Sequence, residues 1–74
     1  MKPVDTRRLR KILEAKGCTK TLAKGSHEKW TTPGGLSDTI VAGESLQSPG
    51  LVRNIQRVFE PEFGPKWLEK ELQR

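Results

Sequence analysis

The feature that most constrains the fold is a pair of chain reversals near the middle of the sequence. Residues 32–35, Thr-Pro-Gly-Gly, are a strong turn signal, because proline presets the first corner and glycine accepts the second. Earlier in the chain, Gly25 permits another tight reversal, since glycine has no steric penalty at positive φ. The segments 18–24, 26–32 and 36–42 around these turns are short and loosely alternating, as strands are. The pattern predicts a three-stranded antiparallel meander.

A first helix is predicted before the meander, over residues 5–16. Its apolar stripe, at intervals of three and four residues, consists of Leu9, Ile12 and Leu13. Asp5 or Thr6 can cap its start, and Gly17 suits its end. The basic residues outside the stripe are Arg7, Arg8, Arg10 and Lys11. We expect these four to face solvent, where they are either merely solvated or in contact with phosphate.

A second helix is predicted after the meander, with Ser48 as its N-cap and Pro49 at the first helical position. It has the clearest apolar periodicity in the chain, formed by Leu51, Val52, Ile55, Val58 and Phe59. Pro61 is expected to end this helix, because proline lacks the N–H that a helix interior needs.

The tail, residues 61–74, is predicted to extend the domain formed by residues 1–60 with a short third helix from Pro65 to Arg74. We expect Pro65 to lie in its first turn, where no N–H is needed. The tail is too apolar to be free, and its apolar residues are Phe63, Trp67, Leu68 and Leu72. Trp67 is therefore expected to dock on the two main helices. The alternative is an exposed Trp67 that belongs to a partner or self-association surface.

The predicted order α-β-β-β-α, with the short C-terminal helix added, indicates an α+β fold with the helices on one face of the sheet. The opposite face is left to solvent or to a ligand. Because side chains alternate along a strand, His27 and Lys29 share one face and Trp30 lies on the other. If Trp30 packs toward the helices, His27 and Lys29 point to the open face.

The charge is concentrated at one end of the chain. The net charge is +5, and residues 1–30 carry nine basic and three acidic side chains. Such asymmetry is typical of a domain that binds a polyanion, although it also fits a cationic face that only keeps the protein soluble.

Size and composition narrow the function classes. A chain of 74 residues buries only ~60% of the surface its unfolded form exposes, so a deep cofactor pocket is not expected. The single Cys18 can form no intramolecular disulfide or thiolate metal site and is expected to be a small buried residue. Without a recognisable signal peptide or a membrane-length apolar run, the protein is expected in the cytoplasm.

His27 is the only histidine, and it stands without acidic or cysteine partners at metal-ligand spacing. RNA carries its own nucleophile, the 2′-hydroxyl beside each phosphate. An RNA-cleaving site therefore needs only an acid or base and cations that offset the developing charge. The bland alternative is that His27 is a surface or capping residue and Ser26 a plain turn residue. The residues alone indicate a basic RNA-binding candidate with one possible acid or base.

The run Lys24-Gly25-Ser26-His27, followed by an aromatic residue at Trp30, resembles the HicA toxin family. The Thr-Pro-Gly-Gly turn and the Ser-Pro-Gly-Leu start of the second helix support the likeness, which extends from about Asp5 to Phe59. HicA proteins are small mRNA interferases with a double-stranded-RNA-binding-domain-like fold, and the antitoxin HicB neutralises them.

The resemblance implies a metal-independent endoribonuclease, the toxin of a type II toxin–antitoxin system, without a cofactor. His27 would be catalytic, as general base or acid. Lys24 and Lys29 would engage the phosphates of mRNA, while Gly25 and Ser26 would shape the hairpin that binds it. A HicB-like antitoxin would cover the same face. The alternatives are a non-catalytic RNA-binding module of the same fold and an inactive HicA-like remnant.

Overall fold

The computed structural model describes residues 1–22 and 24–74, with Leu22 described by its backbone alone. Its elements in chain order are β1 (Val4–Asp5), α1 (Thr6–Ala15), β2 (Thr19–Leu22), β3 (His27–Thr31), β4 (Ser37–Val41), β5 (Leu46–Gln47), α2 (Pro49–Phe63) and α3 (Trp67–Leu72). The chain is thus a small α+β domain, and the predicted α-β-β-β-α series is present within it.

The predicted meander is confirmed as a three-stranded antiparallel sheet in the order β2-β3-β4. Trp30, near the end of β3, lies opposite Lys20 of β2 and Asp38 of β4. The alternation along β3 is also confirmed, because Trp30 is buried whereas Lys29 beside it is exposed. The first predicted strand included Ala23, which lies outside the described residues.

Helix α1 begins and ends where its capping residues predict. The Asp5 carboxylate accepts hydrogen bonds from the backbone N–H groups of Arg7 and Arg8 at 2.9 and 3.3 Å, which satisfies donors that have no partner inside the helix. The helix ends at Ala15, two residues before Gly17. Its predicted stripe of Leu9, Ile12 and Leu13 is buried in the core.

Helix α2 begins as predicted but ends later. The Ser48 hydroxyl accepts a hydrogen bond from the Leu51 N–H at 3.2 Å. The expectation that Pro61 ends the helix is wrong, because α2 continues to Phe63. Proline removes only one hydrogen bond near the end of a helix, and the added turn lets Phe63 pack edge-on against Phe59 at 6.0 Å. The actual end is Gly64, whose φ of 97° suits glycine.

The predicted C-terminal helix, α3, is present and begins two residues after Pro65. Pro65 therefore lies outside the helix, contrary to the prediction, because Lys66 turns the chain in the left-handed conformation at φ 57°. Trp67 is only 2% exposed, so the alternative of an exposed Trp67 is wrong. Its ring stacks on Phe59 at 6.1 Å and meets Phe63 edge-on at 5.0 Å, and we name these three rings the aromatic cluster.

A two-stranded ribbon of β1 and β5 was not predicted. Its anchor is the buried side chain of Gln47, which accepts a hydrogen bond from the Val41 N–H at 3.1 Å and donates one to the Val41 carbonyl at 2.8 Å. The same amide donates to the Thr6 hydroxyl at 2.8 Å. One side chain therefore ties the ribbon to α1 and to the edge of β4.

Cys18 is buried, as predicted. Desolvation, and secondarily the negative charge of Glu62, raises the pKa of its thiol to about 11. The thiol is therefore protonated at neutral pH, and a protonated thiol is a poor nucleophile. Among the described residues, no helix has the length and apolar character needed to cross a membrane.

Candidate nucleic-acid interface

The sheet face that points away from the helices carries mostly hydroxyl groups, one lysine and one histidine. Residues opposite each other in an antiparallel pair point to the same face, so the register defines this surface. It consists of Thr19, Thr21, His27, Lys29, Thr31, Ser37, Thr39 and Val41, and we name it the outer face. Hydroxyl, ammonium and imidazole groups all form hydrogen bonds with phosphate oxygens.

His27 is the first residue of β3 and is exposed on the outer face, opposite Val41. Lys29 lies two residues further along the same face, which places it about 7 Å away along the strand. The imidazole is exposed, and among residues 1–22 and 24–74 no side-chain hydrogen bond to it is present. The structure thus brings the two predicted residues together on an accessible surface.

The hairpin before His27 exposes the remaining predicted residues. Gly25 has a φ of 66°, and Lys24 and Ser26 are exposed beside it. Ser26 does not begin the strand, contrary to the prediction, because it belongs to the turn. Its carbonyl accepts a hydrogen bond from the Ala42 N–H, which fixes the turn against the loop after β4. The hairpin therefore presents Lys24 and Ser26 next to His27.

Beneath His27, on the inner side of β3, lies a buried ion pair that the sequence did not predict. Arg10 Nε and Nη2 donate to Glu28 Oε1 and Oε2 at 3.1 and 2.6 Å, and Trp30 Nε1 donates to Oε1 at 3.2 Å. Glu28 is only 4% exposed. The prediction that Arg10 faces solvent is wrong, because its guanidinium turns inward to this carboxylate.

Hydrogen bonding by Arg10 dominates the electrostatics of Glu28 and lowers the pKa of its carboxyl group. Burial acts in the opposite direction, and the hydrogen bond from Trp30 and the charges of Arg10 and Lys20 add to the lowering. Glu28 therefore stays ionised, and the pair attaches the His27 end of β3 to α1.

The other end of β3 is attached to α2 by Glu62. The Thr32 hydroxyl donates to Glu62 Oε1, and the Gly34 N–H donates to Oε2 at 3.0 Å. A Cβ atom at Gly34 would overlap this carboxylate, so a larger residue at that position would displace the Glu62 side chain. The predicted turn is confirmed by the hydrogen bond from the Gly35 N–H to the Thr32 carbonyl at 2.9 Å. Both ends of β3 are thus bonded to a helix on the inner side of the sheet, one to α1 and the other to α2.

Ion pairing redistributes the N-terminal positive charge. Arg10 pairs with Glu28, and Lys16 pairs with Glu71 at 3.6 Å. Among the described residues, the third ion pair joins Arg74 and Glu71, so none involves the lysines of the hairpin and outer face. Their positive charge is therefore available to an anionic ligand.

Comparison with known proteins does not identify relatives of this chain. No protein-family model matches it, and neither a curated protein nor a solved structure matches it significantly. Its function has to be inferred from the geometry of the outer face.

Proposed function

We propose that the chain binds RNA on the outer face and cleaves it with His27, as the toxin of a HicA-type toxin–antitoxin pair. The observation that carries the proposal is the exposure of His27 and Lys29 on one face of β3, a strand whose two ends are bonded to α1 and α2 on its other side. In this proposal the three-stranded sheet with its helices is a version of the double-stranded-RNA-binding-domain fold.

The proposed reaction uses the 2′-hydroxyl of RNA as the nucleophile. Its oxygen attacks the adjacent phosphorus and the bond from phosphorus to the 5′-oxygen breaks, which leaves a 2′,3′-cyclic phosphate and a free 5′-hydroxyl. His27 either accepts the proton of the 2′-hydroxyl, in which case the departing 5′-oxygen takes a proton from water, or donates a proton to the departing 5′-oxygen, in which case the 2′-hydroxyl proton passes to water. Lys29 and Lys24 offset the negative charge that develops on the phosphate oxygens.

This chemistry accounts for the composition of the outer face. The substrate supplies the nucleophile, so neither an activated serine nor a thiolate is required from the protein. DNA lacks the 2′-hydroxyl and is therefore expected to bind the same cationic surface without being cleaved. We propose that a HicB-like antitoxin blocks the reaction by covering this face.

The second candidate is an RNA-binding module without catalysis. One observation favours it: among the described residues, no hydrogen bond orients the His27 imidazole, whereas catalytic histidines are commonly held by a second group. In that case the outer face recognises the shape and backbone of RNA alone.

The substitution His27→Ala separates the two candidates. We expect RNA cleavage by the purified protein to fall by at least ~100-fold, the usual contribution of a general acid or base. RNA affinity should remain within about twofold, because Lys24 and Lys29 are retained. The melting temperature should be unchanged, because an exposed side chain makes few packing contacts.

The control is Gln73→Ala, an exposed neutral residue outside the outer face, which should retain cleavage. EDTA should not reduce the wild-type rate. Cleavage that persists in the His27→Ala protein would assign the activity to another group. A wild-type protein that binds RNA and never cleaves it would support the binding module.

A further inference from the structure

Helix α2 carries a second cationic surface that the proposed reaction does not use. Arg53 and Arg57 are both exposed and lie one helical turn apart, so they are neighbours on the same side of α2. With Gly50 and Asn54 they line a shallow groove. We name this surface the α2 groove.

A chain of hydrogen bonds places the α2 groove at the β4 edge of the sheet. Arg57 Nη2 donates to Asn54 Oδ1 at 2.7 Å, and Asn54 Nδ2 donates to Asp38 Oδ2 at 2.9 Å. The second oxygen of Asp38 accepts the Thr39 N–H at 2.8 Å. The position of the Arg57 guanidinium is therefore linked through Asn54 to strand β4. Both oxygens of the Asp38 carboxylate accept hydrogen bonds from neutral N–H groups.

The outer face leads to this edge. Thr21, Lys29 and Thr39 lie opposite one another on adjacent strands and form a polar row across the sheet. The row ends at Thr39 on β4. The preceding residue, Asp38, accepts the hydrogen bond from Asn54 of the α2 groove. Thr39 points to the outer face and Asp38 to the inner face of the same edge, so a ligand that follows the row from β2 to β4 has to turn around this edge to meet the arginines of α2.

The charge of the α2 groove suits phosphate. None of the three ion pairs among the described residues includes Arg53 or Arg57. Each guanidinium is a planar fork of N–H donors that matches phosphate oxygens. Arg57 uses one of its donors on Asn54 and keeps the others for a ligand.

We propose that an RNA strand bound at His27 crosses the sheet from β2 to β4 and places further phosphates against Arg53 and Arg57. This inference depends on the proposed RNA function and adds a path and a second phosphate site to it. The α2 groove thereby contributes to RNA affinity, whereas His27 contributes to cleavage.

The test compares two doubly substituted proteins that lose the same charge, R53Q/R57Q and K70Q/R74Q. Lys70 and Arg74 are exposed at the C-terminal end of the chain, so the second protein is the matched control. Binding of a fluorescent single-stranded RNA with 2′-O-methyl groups, which has no nucleophile, is measured by anisotropy over a range of salt concentrations.

We expect R53Q/R57Q to raise the Kd about tenfold and to reduce the salt slope by about 1.4, because each phosphate contact with a single strand contributes ~0.7. K70Q/R74Q should change the Kd less than twofold. The charge-retaining variant R53K/R57K should recover the salt slope and part of the affinity, and a wild-type melting temperature of R53Q/R57Q excludes misfolding as the cause of the loss.

The outcomes also separate this inference from the proposed function. If K24Q/K29Q weakens binding while R53Q/R57Q binds like the wild type, RNA binding stands and the α2 groove is not part of its path. If R53Q/R57Q and K70Q/R74Q weaken binding equally, only net charge matters and the inference is overturned. If the wild-type protein does not bind RNA, both proposals fall.

Discussion

The outer face and the aromatic cluster differ in solvent exposure and in what their side chains contact. His27 and Lys29 are exposed, whereas Phe59 and Trp67 are at most 2% exposed and Trp67 Nε1 donates to the Gln56 carbonyl at 3.0 Å. A domain of this size has little apolar surface to bury. Stability and the proposed ligand contacts are therefore concentrated in different residues, which substitutions can separate.

Strand β3 shows the same contrast between buried and exposed side chains in two adjacent residues. Glu28 is buried and bonded to Arg10, while Lys29, the next residue, is exposed on the outer face. The alternation of side chains along one strand is enough to place a structural and a ligand-facing group side by side. Substitutions at Glu28, at Lys29 and in the aromatic cluster therefore test whether stability and RNA binding depend on different residues.

The largest effect on stability is expected from Trp67→Ala. Removal of the indole leaves a cavity between α2 and α3, which typically costs ~3–5 kcal/mol in free energy of unfolding. In a domain of this length that corresponds to a loss of roughly 15 °C or more in melting temperature, measurable by circular dichroism.

Trp67→Phe keeps most of the apolar contact and loses the indole N–H, so a loss of only ~1–2 kcal/mol is expected. At temperatures where this milder variant is folded, its RNA affinity should equal that of the wild type. Weaker RNA binding by the folded Trp67→Phe protein would contradict the division between the two regions.

An intermediate effect is expected from Glu28→Gln. The substitution leaves the half-buried Arg10 without its counter-charge, which we expect to lower the free energy of unfolding by about 2 kcal/mol at pH 7. Because the pKa of Glu28 is lowered in the folded protein, its contribution is complete above the unfolded pKa of ~4.3 and is lost as the pH falls through the folded value.

The measurement is the melting temperature of wild type and Glu28→Gln from pH 7 to pH 3. The difference between the two proteins should be constant at neutral pH and should narrow below about pH 4.3, because Glu28 of the unfolded wild type takes up a proton there while the folded protein keeps the carboxylate ionised until its lower pKa is reached. A difference that stays the same down to pH 3 would show that charge on Glu28 does not stabilise β3.

The smallest effect on stability is expected from Lys29→Gln. An exposed substitution of this kind usually changes the free energy of unfolding by less than ~0.5 kcal/mol. RNA binding should nevertheless weaken, and its salt slope should fall by ~0.7 if Lys29 contacts one phosphate. If Lys29→Gln greatly lowers stability and leaves the salt slope of RNA binding unchanged, Lys29 stabilises the fold and does not contact RNA, contrary to the proposal.

Local patterns in the sequence predicted most of the fold. Periodic apolar residues located α1 and α2, and turn residues separated β2, β3 and β4, because these signals act between near neighbours. The parity of β3 also placed His27 and Lys29 on the exposed face.

The ion pair below His27 and the β1–β5 ribbon, which sequence analysis missed, depend on contacts between distant residues. The carboxylate of Glu28 lies on the predicted inner face, but nothing local indicates that Arg10 reaches it. The strands β1 and β5 have two residues each, too few for a periodic signal. Helix α2 passes Pro61 because the packing of Phe63 outweighs the loss of one hydrogen bond.

The hydrogen bonds along β4 have a consequence for how this sheet can be extended by another molecule. The N–H groups of Thr39 and Val41 are taken by the side chains of Asp38 and Gln47. Free edge N–H and C=O groups are what an incoming strand pairs with, so β4 resists strand addition. Within the three-stranded sheet the other edge is β2, where the exposed Lys20 disfavours pairing with a basic peptide or with the β2 edge of a second copy.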